Sequence, residues 1–362
     1  MNRVQYTGGM RLGNLCVLLV AALLCGCSTV GFYSQAAAGQ MRISFGGQAV
    51  DRVLADPESP ALLRARLRRA EEVLRFAERE LGLPAAGRYR RYVDLDRPYV
   101  VWNVVAAPEL SLTAHRWCYP IVGCAPYRGY FSERRADRLA SRLKAQGLEV
   151  SVSGAAAYST LGWLKDPLLS TFVGWSDGHL ADLLIHELTH SRVWLKGDVR
   201  MNESLASFVG ERGARMFLSD KPTQLSAYLD DLAARAAFNR WARELRAALR
   251  EVYDGDRTVA DKRAQKAATY SRFQRCYDQH REQIGGGRYD RAVKALNNAR
   301  LALISTYNSY TPAFERLFAQ ADGSWEAFFA AVEQLGALSA EQRRERLRTP
   351  GQINQAPLCA ST

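Results

Sequence analysis

Within Ala181-Asp-Leu-Leu-Ile-His-Glu-Leu-Thr-His-Ser191, two histidines stand four residues apart with a glutamate directly after the first. On a helix, positions i and i+4 lie on one face a turn apart, so His186 and His190 can reach a single ion while Glu187 projects beside them. The surrounding residues suit a helix. Ser176 or Asp177 can start it, Leu180, Leu183, Leu184, Leu188 and Val193 supply its apolar positions, and Gly197 can stop it. The 362-residue chain has five histidines, at 115, 179, 186, 190 and 280, so the pattern uses two of a scarce residue.

Catalytic zinc commonly takes three protein ligands and keeps a fourth position open for water, so two histidines need a third donor from another element. Thirteen residues after His190 comes Asn202-Glu203-Ser-Leu-Ala-Ser-Phe-Val-Gly210. If residues 202–218 are helical, Glu203 shares its face with Ala206, Ser207, Gly210 and Ala214, all small, and such a face allows close backbone approach. Glu203 is the favoured third ligand; a glutamate near a helix N-terminus can also simply complement the dipole. Asp198, in the turn between the two helices, ranks second. His179 lies eleven residues from His190, too far for one ion, and reads as a first-turn surface residue. His115 and His280 read as structural or exposed. Val193 and Lys196 occupy the places where a metzincin extension would need Gly and His. Asn202 either orients a ligand or caps its helix.

The N-terminus carries address information. Arg3 and Arg11 precede the apolar run Leu15–Cys25, whose eleven residues would rise about 16 Å as a helix, too short to span a bilayer. The ending Leu24-Cys25-Gly26-Cys27 resembles the lipobox of bacterial lipoproteins, which implies cleavage before Cys27 and acylation of that cysteine. An ordinary signal peptide is the alternative. Ser28 after the lipidated position resembles outer-membrane sorting, so the expected location is the cell envelope, lipid-anchored at the periplasmic face of the outer membrane. The protein's partners are then a membrane surface, through the anchor, and a substrate. Beyond residue 26 there remain 47 basic and 37 acidic residues, a net charge of +10. Those cations are spread along the chain and not clustered with aromatics, which makes nucleic acid a poor partner. Cys118, Cys124, Cys276 and Cys359 remain after removal of the signal and lipidation, an even number that suggests disulfides in an oxidising compartment. Four cysteines permit three connectivities. Cys118 with Cys124 closes a short loop carrying Pro120 and Gly123, which leaves Cys276 for Cys359.

Along the chain, residues 27–60 read as anchor and tether, and Ala61 to Leu81 as a helix stopped by Gly82 and Pro84. β-rich runs between Tyr89 and Ala106, a turn-rich stretch to Phe131, a helix from Ser132 to Gln146 and an alternating strand over 148–153 make a helix-and-sheet portion, 61–175. The zinc-binding portion, 176–350, is helical throughout, with spans at 177–196, 202–218, 223–252, 258–284, 288–307, 312–320, 324–335 and 339–347. Gly285-Gly286-Gly287 is a hinge between two of them, and 351–362 is a tail. The fold class is α+β, predominantly helical, with a small N-terminal sheet and a C-terminal helical portion.

At these residues the chain resembles a known group. His186-Glu187-x-x-His190 followed by Asn202-Glu203-x-x-Ala206 looks like the gluzincin arrangement. Trp102 to Glu109, Cys118 to Cys124, Tyr127-Arg128-Gly129-Tyr130-Phe131, Tyr158 to Trp163, Asp166-Pro167 and Asn297-Asn298-Ala299-Arg300-Leu301 resemble a bacterial family of putative aminopeptidase lipoproteins, over nearly the whole mature chain. The resemblance implies a zincin-like metallopeptidase acting on peptides, with His186, His190 and Glu203 as zinc ligands and Glu187 as general base toward a zinc-activated water. Tyr307 and Tyr310 are candidates, by analogy with related peptidases, for the phenol that stabilises charge on the carbonyl oxygen. Asp166 either receives a substrate amine or forms a turn with Pro167. Two features depart from the gluzincin aminopeptidases: the interval from His190 to Glu203 is shorter, and the Gly-x-Met-Glu-Asn segment that holds a free α-amine is missing. The alternative is an envelope lipoprotein that uses the same fold as a binding or scaffolding module without hydrolysis.

Overall fold

The computed structural model describes residues 31–119, 123–157, 166–304, 310–348 and 358–359. The chain divides into two compact units, Met1–Gly46 and Gly47–Thr362. The described part of the first is a helix, α1, over residues 31–45. Cys27 and the signal segment 1–26 lie outside the described residues. The second unit begins well before residue 60: β1 (Gln48–Ala49) pairs into a sheet, and α2 (Val50–Ala55) buries Val50 and Val53. The expected tether is therefore shorter than 27–60, because the apolar pair in α2 belongs to a packed surface.

Helix α3 (Ala61–Leu81) has the limits its pattern predicts. Leu67, Ala70, Val73, Leu74, Ala77 and Leu81 recur at three- and four-residue steps and are buried, and Gly82 ends the helix at φ 64° with its N–H on the Ala77 carbonyl. The β-rich stretch forms three small sheets where a single one was expected. Its strands are β2 (Arg91–Val93), β3 (Val101–Pro108), β4 (Trp117–Tyr119), β5 (Gly123–Ala125), β6 (Arg128–Tyr130), β7 (Leu148–Ala155) and β8 (Leu168–Leu169), with α4 (Glu133–Ala145) between β6 and β7. In the first sheet β2 lies between β1, antiparallel, and β8, parallel. In the second, β3 is central between β6 and β7, both antiparallel. β4 and β5 form a hairpin in which Cys118 faces Cys124, and a disulfide joins them. β3 is nearly continuous in apolar residues because it is covered on both faces, by α4 and by α11 (Asn298–Ile304).

After a single turn, α5 (Ser170–Val173), the chain is helical: α6 (Asp177–Arg192), α7 (Val199–Phe217), α8 (Pro222–Asp254), α9 (Val259–Gln279), α10 (Asp290–Lys294), α11, α12 (Thr311–Gln320), α13 (Trp325–Ala337) and α14 (Ala340–Leu347). The helix expected over 288–307 is two helices. Asn297 interrupts it by accepting the Arg300 N–H, the bond of an N-cap, so α11 starts afresh. Gly285, Gly286 and Gly287 all have positive φ, as a turn there requires.

The helical half is held to the sheets by Asn298, which is fully buried. Its Oδ1 accepts from the Tyr253 and Tyr270 hydroxyls, its Nδ2 donates to the carbonyls of Pro108 and Glu109, and its backbone N–H donates to Glu149. One apolar core lies between α8 and α9 around Trp241, Leu245, Phe273 and Tyr277. The Cys276–Cys359 disulfide fastens the chain end to it, and Glu244 accepts the N–H groups of Leu358 and Cys359. A second, aromatic cluster, Phe208, Phe314, Phe318, Trp325 and Phe328, backs α7 with α12 and α13. Among the described residues no helix is long and apolar enough to cross a membrane. The architecture is α+β and mostly helical.

Candidate metal centre

The centre is built on the α6–α7 helical hairpin. Leu180, Ala181, Leu184, Ile185 and Leu188 bury the core side of α6. Its N-terminus is fixed by Asp177, a buried carboxylate that pairs with Arg66 at 2.8 Å and Arg69 at 2.9 Å, both on α3. Ser176 precedes the helix without a side-chain capping bond, and the helix ends at Arg192, before Gly197. α7 packs unusually close. A Cβ at Gly210 would stand 2.8 Å from the Asp182 carbonyl oxygen and 3.3 Å from His186 Cβ, so only a glycine permits this separation.

The connecting turn is held from two sides. Asp198 caps α7 by accepting the Met201 N–H at 3.2 Å, and its other oxygen takes Arg343 Nε at 3.2 Å. That commitment removes it as a rival ligand. Asn202 is buried and neither caps the helix nor touches the histidines; its amide accepts from the Leu195 N–H and donates to the Leu195 carbonyl, both at 2.9 Å. It thus ties the turn to the residue directly before Glu203.

These supports bring the three expected donors together. His186 Nε2 is 3.1 Å from His190 Nε2 and 3.5 Å from Glu203 Oε2, and His190 Nε2 is 3.6 Å from Glu203 Oε1. Ligand bonds of about 2.0–2.1 Å directed to the corners of a tetrahedron would put donors about 3.4 Å apart. The observed separations bracket that figure, so the set fits a small divalent cation. His190 is buried, with Trp194 set edge-on to its ring at 5.4 Å, while His186 and Glu203 are half-buried and open to a cleft.

The electrostatics separate the two imidazoles. Burial, and then the neighbouring His186, push His190 down to about 4. Burial also opposes charge on His186, but the bond to Glu203 and the charges of Glu187, Glu203 and Asp182 outweigh it and raise its pKa. Burial works against the Glu203 carboxylate too, and is overcome by His186 and His190, which lower it. At neutral pH the buried imidazole therefore offers a free lone pair and the carboxylate is charged, the states a metal requires.

The cleft has a volume of 460 Å³, and His186, Glu187 and Glu203 share it with Trp175, His179, Asp182, Ser207, Glu211 and Arg235. The other sequence candidates lie apart from the three donors. His179, expected at the surface, is half-buried and lines the same cleft, paired with Asp231 at 2.9 Å. His115 packs edge-on against Trp117, and His280 Nδ1 lies 2.9 Å from the Cys276 carbonyl. Tyr310 is buried outside this cleft; it lies beneath Arg200, lines a separate 270 Å³ pocket with Lys196 and Arg344, and donates its N–H to Ser204. Tyr307 lies outside the described residues. The Asp166 carbonyl accepts the Tyr89 N–H.

Two phenols that the sequence reading passed over respond to the centre. Tyr89 is buried with a left-handed backbone, φ 55°, and burial followed by the Glu187 charge raises its pKa. Tyr127, before β6, is raised by burial and then by Glu203. Tyr127 stands in one of the segments that carry the family resemblance, and that was the available signal for it. Nothing comparable marks Tyr89.

Comparison with known proteins gives one match. A family model described as "Putative aminopeptidase" matches residues 31–347. No curated protein and no solved structure matches the chain.

Proposed function

The chain belongs to the putative aminopeptidase family, and from that membership we propose that it is a zinc-dependent, aminopeptidase-like enzyme of zincin type. The observation that carries the metal is the mutual separation of 3.1, 3.5 and 3.6 Å among His186, His190 and Glu203. These three would hold the ion through two Nε2 atoms and the carboxylate. Zinc, when bound, supplies a Lewis acid that polarises the scissile carbonyl and lowers the pKa of a water toward neutrality. Glu187, beside His186 in the cleft, accepts the proton of the attacking water and hands it to the departing amine. The oxygen on which negative charge develops needs a donor besides the metal, and Tyr127, partly exposed and within reach of the Glu203 charge, is the candidate phenol. Asn202 acts through Leu195 and is a positioning residue. The short His190-to-Glu203 interval is accommodated by the tight turn that Asp198 and Asn202 hold.

An envelope location, with Cys27 acylated, belongs to the same reading. The pairing of Cys118 with Cys124 and Cys276 with Cys359 supports it, because stable disulfides form outside the reducing cytoplasm.

The test is a zinc determination on the purified protein together with product analysis from a mixed peptide library. Near-stoichiometric zinc is expected, and Glu187→Gln should retain it while losing at least about a hundredfold in hydrolysis, the lower range for a general base. A protein without zinc affinity, or a Glu187→Gln variant as active as the parent, would refute the proposal.

A further inference from the structure

We propose that Asp182 seats the ammonium of the substrate's first residue, so that the cleft takes peptides with a free amino terminus; this rests on the peptidase reading above. Asp182 is one turn before His186 on α6 and lines the same cleft. A turn advances about 5.4 Å. In a peptide the α-ammonium stands two bonds from its own carbonyl carbon, so a carbonyl held at His186, His190 and Glu203 leaves the ammonium about one helical turn away or less. Toward the N-terminus of α6, Asp182 occupies that place.

The charges around Asp182 leave room for a cation. Arg235, from α8, is the nearest guanidinium, but it sits 2.7 Å from Glu211 on α7 and 4.0 Å from Asp182, so Glu211 holds it. His179, on α6, is taken up by Asp231, which Arg288 also engages. His186 is turned to Glu203. Two carboxylates of the cleft, Asp182 and Glu211, therefore share one guanidinium, and Asp182 has the lesser part.

A second, independent feature points the same way. The hydroxyl of Tyr228, a residue buried to all but 2 % and packed on Gly178, faces the Asp182 carboxylate and interacts with it in a geometry short of a full hydrogen bond, which leaves both groups able to take a better partner. An ammonium between the two offers one proton to each and uses a third in the cleft. Burial raises the Asp182 pKa against the pull of Arg235, His186, the Tyr228 hydroxyl and His179, which is the condition of a carboxylate that gains from one more positive neighbour. Gly210 completes the seat: a Cβ there would lie 2.5 Å from Asp182 Oδ1, so the carboxylate rests directly on the α7 backbone with few alternative positions.

The experiment compares tri-alanine amide with its N-acetyl derivative, by calorimetry on the zinc-supplied Glu187→Gln protein and by hydrolysis with the parent. The free-amine peptide should bind at least tenfold more tightly. Asp182→Asn should bring the two peptides within twofold of each other. Arg235→Gln should widen the preference, because it removes the cation with which the ammonium competes; a residue that merely supported the fold would weaken both peptides alike. Equal binding of the two peptides, no binding of either, or a tenfold preference that survives in Asp182→Asn would overturn the proposal. Hydrolysis of both peptides at equal rates would sink the amine seat and leave the peptidase standing. Preferential binding with no hydrolysis would keep the seat and sink the peptidase.

Discussion

Replacing Gly210 with alanine tests whether the separation of α6 and α7 sets the metal centre. The added Cβ would stand 2.8 Å from the Asp182 carbonyl oxygen, about 0.6 Å inside ordinary contact, and a backbone carbonyl in a helix cannot rotate away. Alanine gains about 1 kcal/mol of helix propensity over glycine. Overpacking of a close-fitted contact costs about 1–3 kcal/mol, so the net expectation is a loss of about 0–2 kcal/mol. For a chain of this size that corresponds to roughly 2–4 °C in Tm for each kcal/mol. The larger effect is local. A retreat of α7 by about 0.6 Å exceeds the roughly 0.2 Å tolerance of a ligand distance, and zinc affinity should fall by about 10–100-fold. Gly213→Ala is the control on the same helix. Its Cβ meets Ile185 Cδ1 at 2.8 Å and Leu81 Cδ1 at 2.9 Å, flexible side-chain ends that can turn, so it should change zinc affinity little. Competition against a chelator of known affinity reads the metal, and thermal unfolding reads the fold. A Gly210→Ala protein that binds zinc like the parent and melts at or above its temperature would show that the close approach does not position Glu203.

Asn202→Ala leaves the Leu195 N–H and carbonyl without their partner in a half-buried turn, and at the low end of about 1–3 kcal/mol for each of the two groups it should destabilise by about 2 kcal/mol in denaturant titration; a loss below about 0.5 kcal/mol would mean water replaces the amide. The two imidazoles of the metal-free protein should titrate apart by NMR, His190 near 4 and His186 above 6.5, and coincident titration near 6.5 would contradict the electrostatic account. The sign follows from the directions: the stability tied to neutral His190 is complete above its unfolded value near 6.5 and is lost as pH falls through about 4, whereas that tied to charged His186 is present in acid and lost as pH rises through its raised pKa.

The sequence made the centre's helices legible because their signals are local. The four-residue interval of His186 and His190, the small face Ala206, Ser207, Gly210 and Ala214, and the stop at Gly82 all act within a turn or two. Asn202 lies beyond the reach of local signals: cap and ligand support are its local options, whereas its partner is the backbone of Leu195 across the turn. Tyr89 and Tyr127 lay further out of reach, since their approach to Glu187 and Glu203 depends on how strands distant in sequence are packed. Tyr310, a candidate by analogy with related peptidases, lines a separate pocket, a placement that depends on the packing of α12 and not on any local signal. The break at Asn297 carries no sequence signal because the residues on both sides favour helix, and a single side-chain cap decides the matter.

The three donors of the centre all come from one helical hairpin, between residues 186 and 203. Short loops close quickly and at small entropic cost, so this portion can acquire its native arrangement while contacts separated by a hundred residues or more, such as Arg66 with Asp177 or Asn298 with Glu109, are still unmade. A cation captured at that early stage would brace the nascent hairpin against which the later layers are laid down.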